Sequence, residues 1–184
     1  MIFLDPQLPK EKSMSEVWKP SVTVAAIVER DGKFLIIEEH TTDGIKLNQP
    51  AGHLDPGESL PYGAERECLE ESGWRVRATG LVGIYMSRYT STRTGQDVTY
   101  LRFGFAAKAI EQLHNATLDH EIIQVHWLNL NELRATIEQH RSPLVLQCVE
   151  DYLAIEAGHK VLTPLDQIFT HPSVLKGSMP AGAT

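Results

Sequence analysis

Residues 52–74, GHLDPGESLPYGAERECLEESGW, constrain the chain more tightly than any other stretch. Gly52, Pro56 and Gly57 make the first part a loop or short strand that turns sharply. Ser59 in position to cap, Pro61 suited to a first turn and Gly73 able to stop the chain in a left-handed conformation together predict a helix over about residues 60–72. That helix carries Glu67, Glu70 and Glu71 within one turn. Spacings of three and four residues bring them within about 100° of one another and about 6 Å along the axis. Like charges so placed each destabilise a helix by about a few tenths of a kcal/mol, and the last turn also faces the negative end of the helix dipole. Something positive must offset them. A solvated acidic face paired with lysines and arginines is the ordinary explanation. Three hard carboxylates beside a loop of backbone carbonyls are also the donor set that Mg²⁺ or Mn²⁺ prefers, with waters and a substrate phosphate completing the shell.

The rest of the chain reads as one domain around a single core, since 184 residues are enough for one and the composition is ordinary for a folded protein. Two β-rich runs, residues 22–29 and 33–39, flank Asp31-Gly32, a strong hairpin signal. After the acidic helix come WRVRAT, GLVGIYMSRYT, VTYLRFGFAAKAI and EIIQVHWLNL, all strand-like, with turn chemistry such as TRTGQD between them. NELRATIEQH predicts a short helix and SPLVLQCVEDYLAIEAG a longer one opened at Ser142-Pro143 and closed at Gly158. Strands, helix, strands, helix favour an α+β arrangement, an α/β/α sandwich with a mixed sheet flanked by helices, over a doubly wound parallel fold. The expected organisation is a leader over residues 1–19, the domain over 20–158 and a partly mobile tail over 159–184.

A formal net charge of −7 argues against coating nucleic acid or adhering to anionic lipid, both of which need a basic surface. A phosphorylated small molecule held through a metal remains compatible with it. Cys68 and Cys148 lack the spacing of a zinc site or a disulfide framework and read as free thiols in a reducing compartment. With no apolar run long enough to span a bilayer and no signal-peptide core, the expectation is a cytoplasmic chain.

Gly52, then five residues, Glu58, then seven, Arg66-Glu67, apolar Cys68, one residue, Glu70-Glu71, one residue, Gly73 and apolar Trp74 fill the Nudix box, and the chain resembles a Nudix hydrolase. The resemblance implies attack by water on a phosphorus of a phosphoric anhydride, with metal ions neutralising phosphate charge and activating the water. It implies Glu67, Glu70 and Glu71 as metal ligands, joined by the carbonyl of Gly52, and Mg²⁺ as cofactor with Mn²⁺ as a substitute. Glu70, Glu67 and, outside the box, Glu121 are the candidates for the base that deprotonates the water, with Asp119 as plausible as Glu121. Arg66 can fork its guanidinium onto Glu58 and Glu67. Glu58 and Gly73 are structural parts of the motif. Tyr62 and Leu69, on the face opposite Glu67, are expected in the core, as are Trp127 and Leu130.

The likeness extends beyond the box. KPSVTVAAIVERDGKFLIIEE, LNQPAGHLDPGESL, YLRFGFAA and RSPLVLQCVEDY are similar to the bacterial NudJ branch over roughly three quarters of the chain. That branch implies a phosphatase releasing orthophosphate from the hydroxymethylpyrimidine pyrophosphate of thiamine biosynthesis and from nucleoside tri- and diphosphates. Leu47 stands where the branch usually carries a tryptophan, and the insertion TSTRTGQD and the longer leader also depart from it. The ADP-ribose type fits less well, because no proline occurs between Arg75 and Val98. Arg102 could reach a phosphate from within the sheet or serve a structural salt bridge, and Gln49 could bond a substrate or its own loop. His53 reads as a loop hydrogen-bonder and Tyr89 as a strand aromatic. The expected partner is a small phosphate ester or anhydride, with the chain a monomer or homodimer. The rival reading is a Nudix domain that senses a nucleotide or sugar phosphate without turnover.

Overall fold

The computed structural model describes residues 18–90 and 95–175. Its first hairpin joins β1, Ser21–Arg30, to β2, Lys33–Thr41. Asp31 and Gly32 both hold positive φ, 55° and 75°, the backbone that a two-residue turn between right-twisted strands requires. The two strands pair only at Glu29–Phe34 and Arg30–Lys33, then diverge. From there β1 runs between β4, Ala51–His53, which is antiparallel to it, and β6, Asp97–Gln112, which is parallel. Its partner β2 runs between β3, Gly44–Asn48, and β7, Ile122–Asn129, antiparallel to both. On the far side of β6 lies β5, Trp74–Thr90, and beyond it β8, Thr163–Pro164. The result is a mixed sheet of eight strands splayed from the hairpin tip.

Both faces of that sheet are covered, so its central strands are apolar in both directions. Val24, Ala26 and Val28 of β1 and Leu35 of β2 point to the side of α1, Leu60–Ser72, where they share clusters with Ala64 and Cys68. Ile27, Phe34 and Ile36 point the other way, onto Val145, Cys148 and Val149 of α3, Leu144–Glu156. A shorter helix, α2, Leu130–Ala135, follows β7 and is fixed by a reciprocal capping box between Asn129 and Glu132. These layers are the expected α/β/α sandwich. Arg30 lies over the rings of both Trp74 and Trp127, 4.8 and 4.3 Å from their centroids, and ties the hairpin tip to the start of β5 and to β7.

Several expectations need correction. WRVRAT and GLVGIYMSRYT form one 17-residue strand, because the glycines that suggest a break instead accommodate bulges between Ala78 and Gly80 and between Leu81 and Gly83. A side chain at Gly80 would meet Leu162 and the Thr163 carbonyl, so its absence lets β8 close on the strand. Residues 159–175, expected as a tail, therefore lie against the domain: Thr163–Pro164 pairs with β5, and Leu165 and Ile168 pack on the cluster of Val24 and Phe105. Ser59 caps α1 with backbone only, its carbonyl accepting from Gly63 N–H. Gly73 does end the helix at φ 70°, donating to the Leu69 carbonyl. Residues 1–17, which hold most of the leader, and residues 91–94 of the insertion lie outside the described residues.

The largest correction concerns the orientation of α1. Tyr62 is 59% exposed and Leu69 only partly buried, whereas Gly63, Ala64, Glu67, Cys68, Glu71 and Ser72 form the inner face. The helix thus buries two of its carboxylates and leaves a tyrosine in solvent. Hydrophobic patterning alone predicts the reverse, since burying a charge costs several kcal/mol unless it is compensated. Here the inner face is chosen by small residues, Gly63 and Ala64, that let α1 approach β1 and β4.

Candidate active site

Glu71 is the most deeply committed of the three acids. It is buried, and one carboxylate oxygen accepts the Ala51 N–H at 2.7 Å. Burial pushes its pKa up to about 9; the Ala51 bond pulls the other way, and the charges of Glu67, Glu39 and Asp119 add to the rise. Glu67, one turn earlier and equally buried, is raised as well, first by burial and then by Glu70 and Asp119, against the pull of Arg66. Glu70 stands at the edge, its side chain 43% exposed. Sequence spacing places the three together, and the fold grades them from buried to wet.

Arg66 is what holds this arrangement in place. Its Nε and one terminal nitrogen make a bidentate pair with Glu58 at 2.9 and 2.8 Å. The other terminal nitrogen donates to both Glu67 and Glu70 at 2.8 Å, and the fork also reaches the His53 carbonyl at 3.1 Å. One planar cation thus ties the helix to the loop before it, a geometry that the point charge of a lysine does not reproduce. The Glu58 bond is the chief reason the guanidinium holds its proton more tightly than usual. Glu58 itself also accepts the Asp55 N–H at 2.8 Å, which locks the loop.

Gly52 lies where β4 passes over α1. A Cβ there would overlap both oxygens and the carboxyl carbon of Glu67, so only glycine lets this backbone lie against the acid. Among the described residues no three His, Cys, Asp or Glu groups already stand as a chelating set, because Arg66 holds Glu67 and Glu70 while Ala51 holds Glu71. The donors are nevertheless all hard oxygens, and burial and mutual repulsion, the two effects that raise Glu67 and Glu71, are those that a divalent cation relieves. The residues fit such an ion.

Beside these acids opens a cavity of about 670 Å³. Glu71, Gly52 and Glu121 line one wall. Glu121 is half-exposed and paired with His120 at 3.1 Å, while Asp119 faces the helix end and donates its N–H to the Glu70 carbonyl at 3.1 Å. Arg102 and Arg141 line the same cavity. Arg102 is buried with no carboxylate within ion-pair distance among the described residues; its guanidinium reaches the amide oxygens of Asn48 and Gln49, at 3.4 and 3.5 Å, and the Cys148 sulfur. Burial lowers its pKa and nearby Arg141 adds to the fall, while Cys148, Glu71 and Glu39 counter it. Among the described residues Arg102 thus makes no salt bridge of the structural kind considered for it. Gln49 is 1% exposed and donates to the Val145 carbonyl at 2.6 Å, so it supports Arg102 from beneath and does not face the cavity. His53 lines the cavity with its ring tilted against Tyr100, and it is its carbonyl that bonds Arg66. Tyr89, at the rim, donates to Asp43 at 2.5 Å.

Glu39 is the acid that sequence reading misses. It is buried on the cavity wall, raised above the usual carboxylate range by burial, and held by Arg141 at 2.7 Å and Asn48 at 3.3 Å. It follows Leu35 and Ile37 at two-residue intervals on β2 and so shares their face, while the register shift opposite it lies in β7, where Ile123 is passed over.

The chain is similar to several known proteins. The family profile for the NUDIX domain matches residues 18–148. Phosphatase NudJ of Escherichia coli is 34% identical over 152 residues, which cover 83% of this chain and 92% of that protein. A Nudix hydrolase from Nitrosomonas europaea superposes with a TM-score of 0.73 at 44% identity, covering 83% of this chain and 98% of the other. An ADP-ribose pyrophosphatase from Streptococcus suis, at 17% identity and a TM-score of 0.55 over 79% of this chain and 96% of its own, shares the fold alone. With the box assembled on α1 and its loop, the chain belongs to the Nudix family and is a hydrolase acting on phosphoric anhydrides.

Proposed function

We propose that the chain releases orthophosphate from small di- and triphosphates, with a pyrimidine diphosphate such as the hydroxymethylpyrimidine pyrophosphate of thiamine biosynthesis and nucleoside tri- and diphosphates as its substrate class. The observation that carries this reading is one cavity lined both by buried Glu71, whose neighbour Glu67 repels it, and by the guanidinium of Arg102, which has no carboxylate partner among the described residues. The 34% identity to a protein named as a phosphatase supports the release of orthophosphate.

In this reading Glu67, Glu70, Glu71, the Gly52 carbonyl and Glu121 hold Mg²⁺, for which Mn²⁺ can substitute. Bound there, the ion neutralises phosphate charge and lowers the pKa of the attacking water. The chain's own groups do the rest. Arg102, with Arg141 beside it, binds the phosphate oxygens, and Arg66 keeps Glu67 and Glu70 in register with the loop. A carboxylate takes the water's proton as oxygen adds to phosphorus and the anhydride P–O bond breaks toward the departing phosphate ester. Glu70 suits that task by its exposure, and Glu67 and Glu121 are the other candidates. The two buried, unpaired cysteines accord with a reducing, cytoplasmic setting, and no described helix is long and apolar enough to cross a membrane.

Phosphate-release assays on pyrimidine, nucleoside and sugar diphosphates with Mg²⁺ and with Mn²⁺ test the proposal. Orthophosphate from a pyrimidine or nucleoside diphosphate is the expected result. Tight binding of one ligand without turnover under either metal would instead identify a sensor.

A further inference from the structure

Thr23, the third residue of β1, lines the cavity beside the acids. It is 6% exposed, and its hydroxyl oxygen is buried with no hydrogen-bond partner among the described residues. Strand register sets its neighbours: His53 on β4 and Arg102 on β6 stand directly across from it, each about 4.8 Å away in the sheet. Two residues back on the same face, Ser21 pairs with Tyr100. Thr23 thus sits at the centre of a patch of His53, Arg102 and Tyr100 that forms the cavity floor.

A buried hydroxyl without a partner is costly, and one that lines a cavity can have the missing bond supplied by whatever fills that cavity. The phosphates of an anhydride already have guanidinium groups to meet them. A neutral hydroxyl, able to donate and accept, suits instead the nitrogen and carbonyl edge of a small heterocycle lying along Tyr100. We infer that Thr23 is a specificity-determining contact whose hydroxyl hydrogen-bonds the polar edge of a pyrimidine-type ring in the diphosphate substrate. The inference rests on the substrate class proposed above, and a binding measurement separates the two.

The test compares Thr23→Val, which keeps the β-branched shape and removes the hydroxyl, with Thr23→Ser, which keeps the hydroxyl. With cytidine diphosphate the valine variant loses about 10- to 100-fold in kcat/KM, mostly through KM. With methyl diphosphate, which keeps the phosphates and lacks the ring, it stays within about twofold of wild type, and the serine variant stays close to wild type on both. Calorimetry with cytidine monophosphate, which needs no turnover, shows the same loss of affinity in the valine variant alone. Equal behaviour of wild type and valine variant on cytidine diphosphate and monophosphate overturns the inference, as does an equal loss on methyl diphosphate. If wild type hydrolyses no anhydride yet the monophosphate affinity falls in the valine variant, the hydrolase substrate reading fails and the Thr23 contact stands. A thermal melt confirms that the valine variant is folded.

Discussion

Glu71→Gln abolishes turnover while leaving the metal-free protein at least as stable as the wild type. The substitution is nearly isosteric, and the glutamine oxygen still accepts the Ala51 N–H that the carboxylate accepts at 2.7 Å. What it removes is a negative charge that burial and three neighbouring acids make expensive. The sign of the pH dependence follows. With a folded-state pKa of about 9 against an ordinary 4.5, the folded chain binds more protons than the unfolded chain between those values, so the Glu71 contribution to stability is fully present below about pH 4.5 and is lost as pH rises towards 9. The glutamine variant lacks this term, and its melting temperature relative to wild type rises with pH in the absence of metal. Activity moves oppositely: in its proposed role as a direct metal ligand, loss of Glu71 costs more than the about 10- to 100-fold typical of an outer-shell partner. Phosphate release and thermal melts in EDTA, both across pH 5–9, check the two halves. A variant both inactive and unstable in EDTA would make Glu71 a structural residue.

Arg66→Ala produces the largest loss of stability of any single substitution in the site. It strips the counter-charge from Glu58, Glu67 and Glu70 together, two of which have side chains only 5% and 9% exposed. Removing one partner of a buried ion pair costs about 3–5 kcal/mol, and for a domain of this size each kcal/mol is worth about 2–4 °C in melting temperature. The expected fall is about 6–20 °C at neutral pH. It shrinks under acid conditions, where protonated carboxylates no longer need the cation. Arg66→Lys recovers only part of it, since an ammonium cannot reproduce the two parallel bonds to Glu58. A neutral-pH melt of Arg66→Ala within about 2 °C of wild type would show that the fork is incidental to the fold.

Much of this site was legible because its chemistry is local. Glu58, Arg66, Glu67, Glu70 and Glu71 lie within fourteen consecutive residues, so helix periodicity gathers Glu67, Glu70 and Glu71 and a short loop brings Glu58 to Arg66. The turns at Asp31-Gly32 and Gly73 were legible for the same reason, each resting on a positive φ that few residues adopt. Contributions that depend on which strands meet were not. Thr23 becomes a floor residue only once β1 is flanked by β4 and β6, and Glu39 meets the cavity only once β2 is flanked by β3 and β7. The inverted face of α1 misled in the opposite way: Tyr62 looks like core until two buried carboxylates claim its place. Gly80 read as a break, although its lack of a side chain serves to admit a strand some eighty residues further along.

The central claim is that a divalent cation makes the buried acids of α1 tolerable, and calorimetric titration of the EDTA-stripped chain with Mg²⁺ or Mn²⁺ tests it most directly. Saturable binding is expected, accompanied near pH 7 by release of about one proton, because the Glu71 carboxyl, raised to about 9, must ionise to hold the metal. The proton appears as a dependence of the heat on the buffer's ionisation enthalpy, and Glu71→Gln loses it together with the binding. Absence of saturable binding in the wild type, or binding and proton release unchanged in Glu71→Gln, would contradict the account.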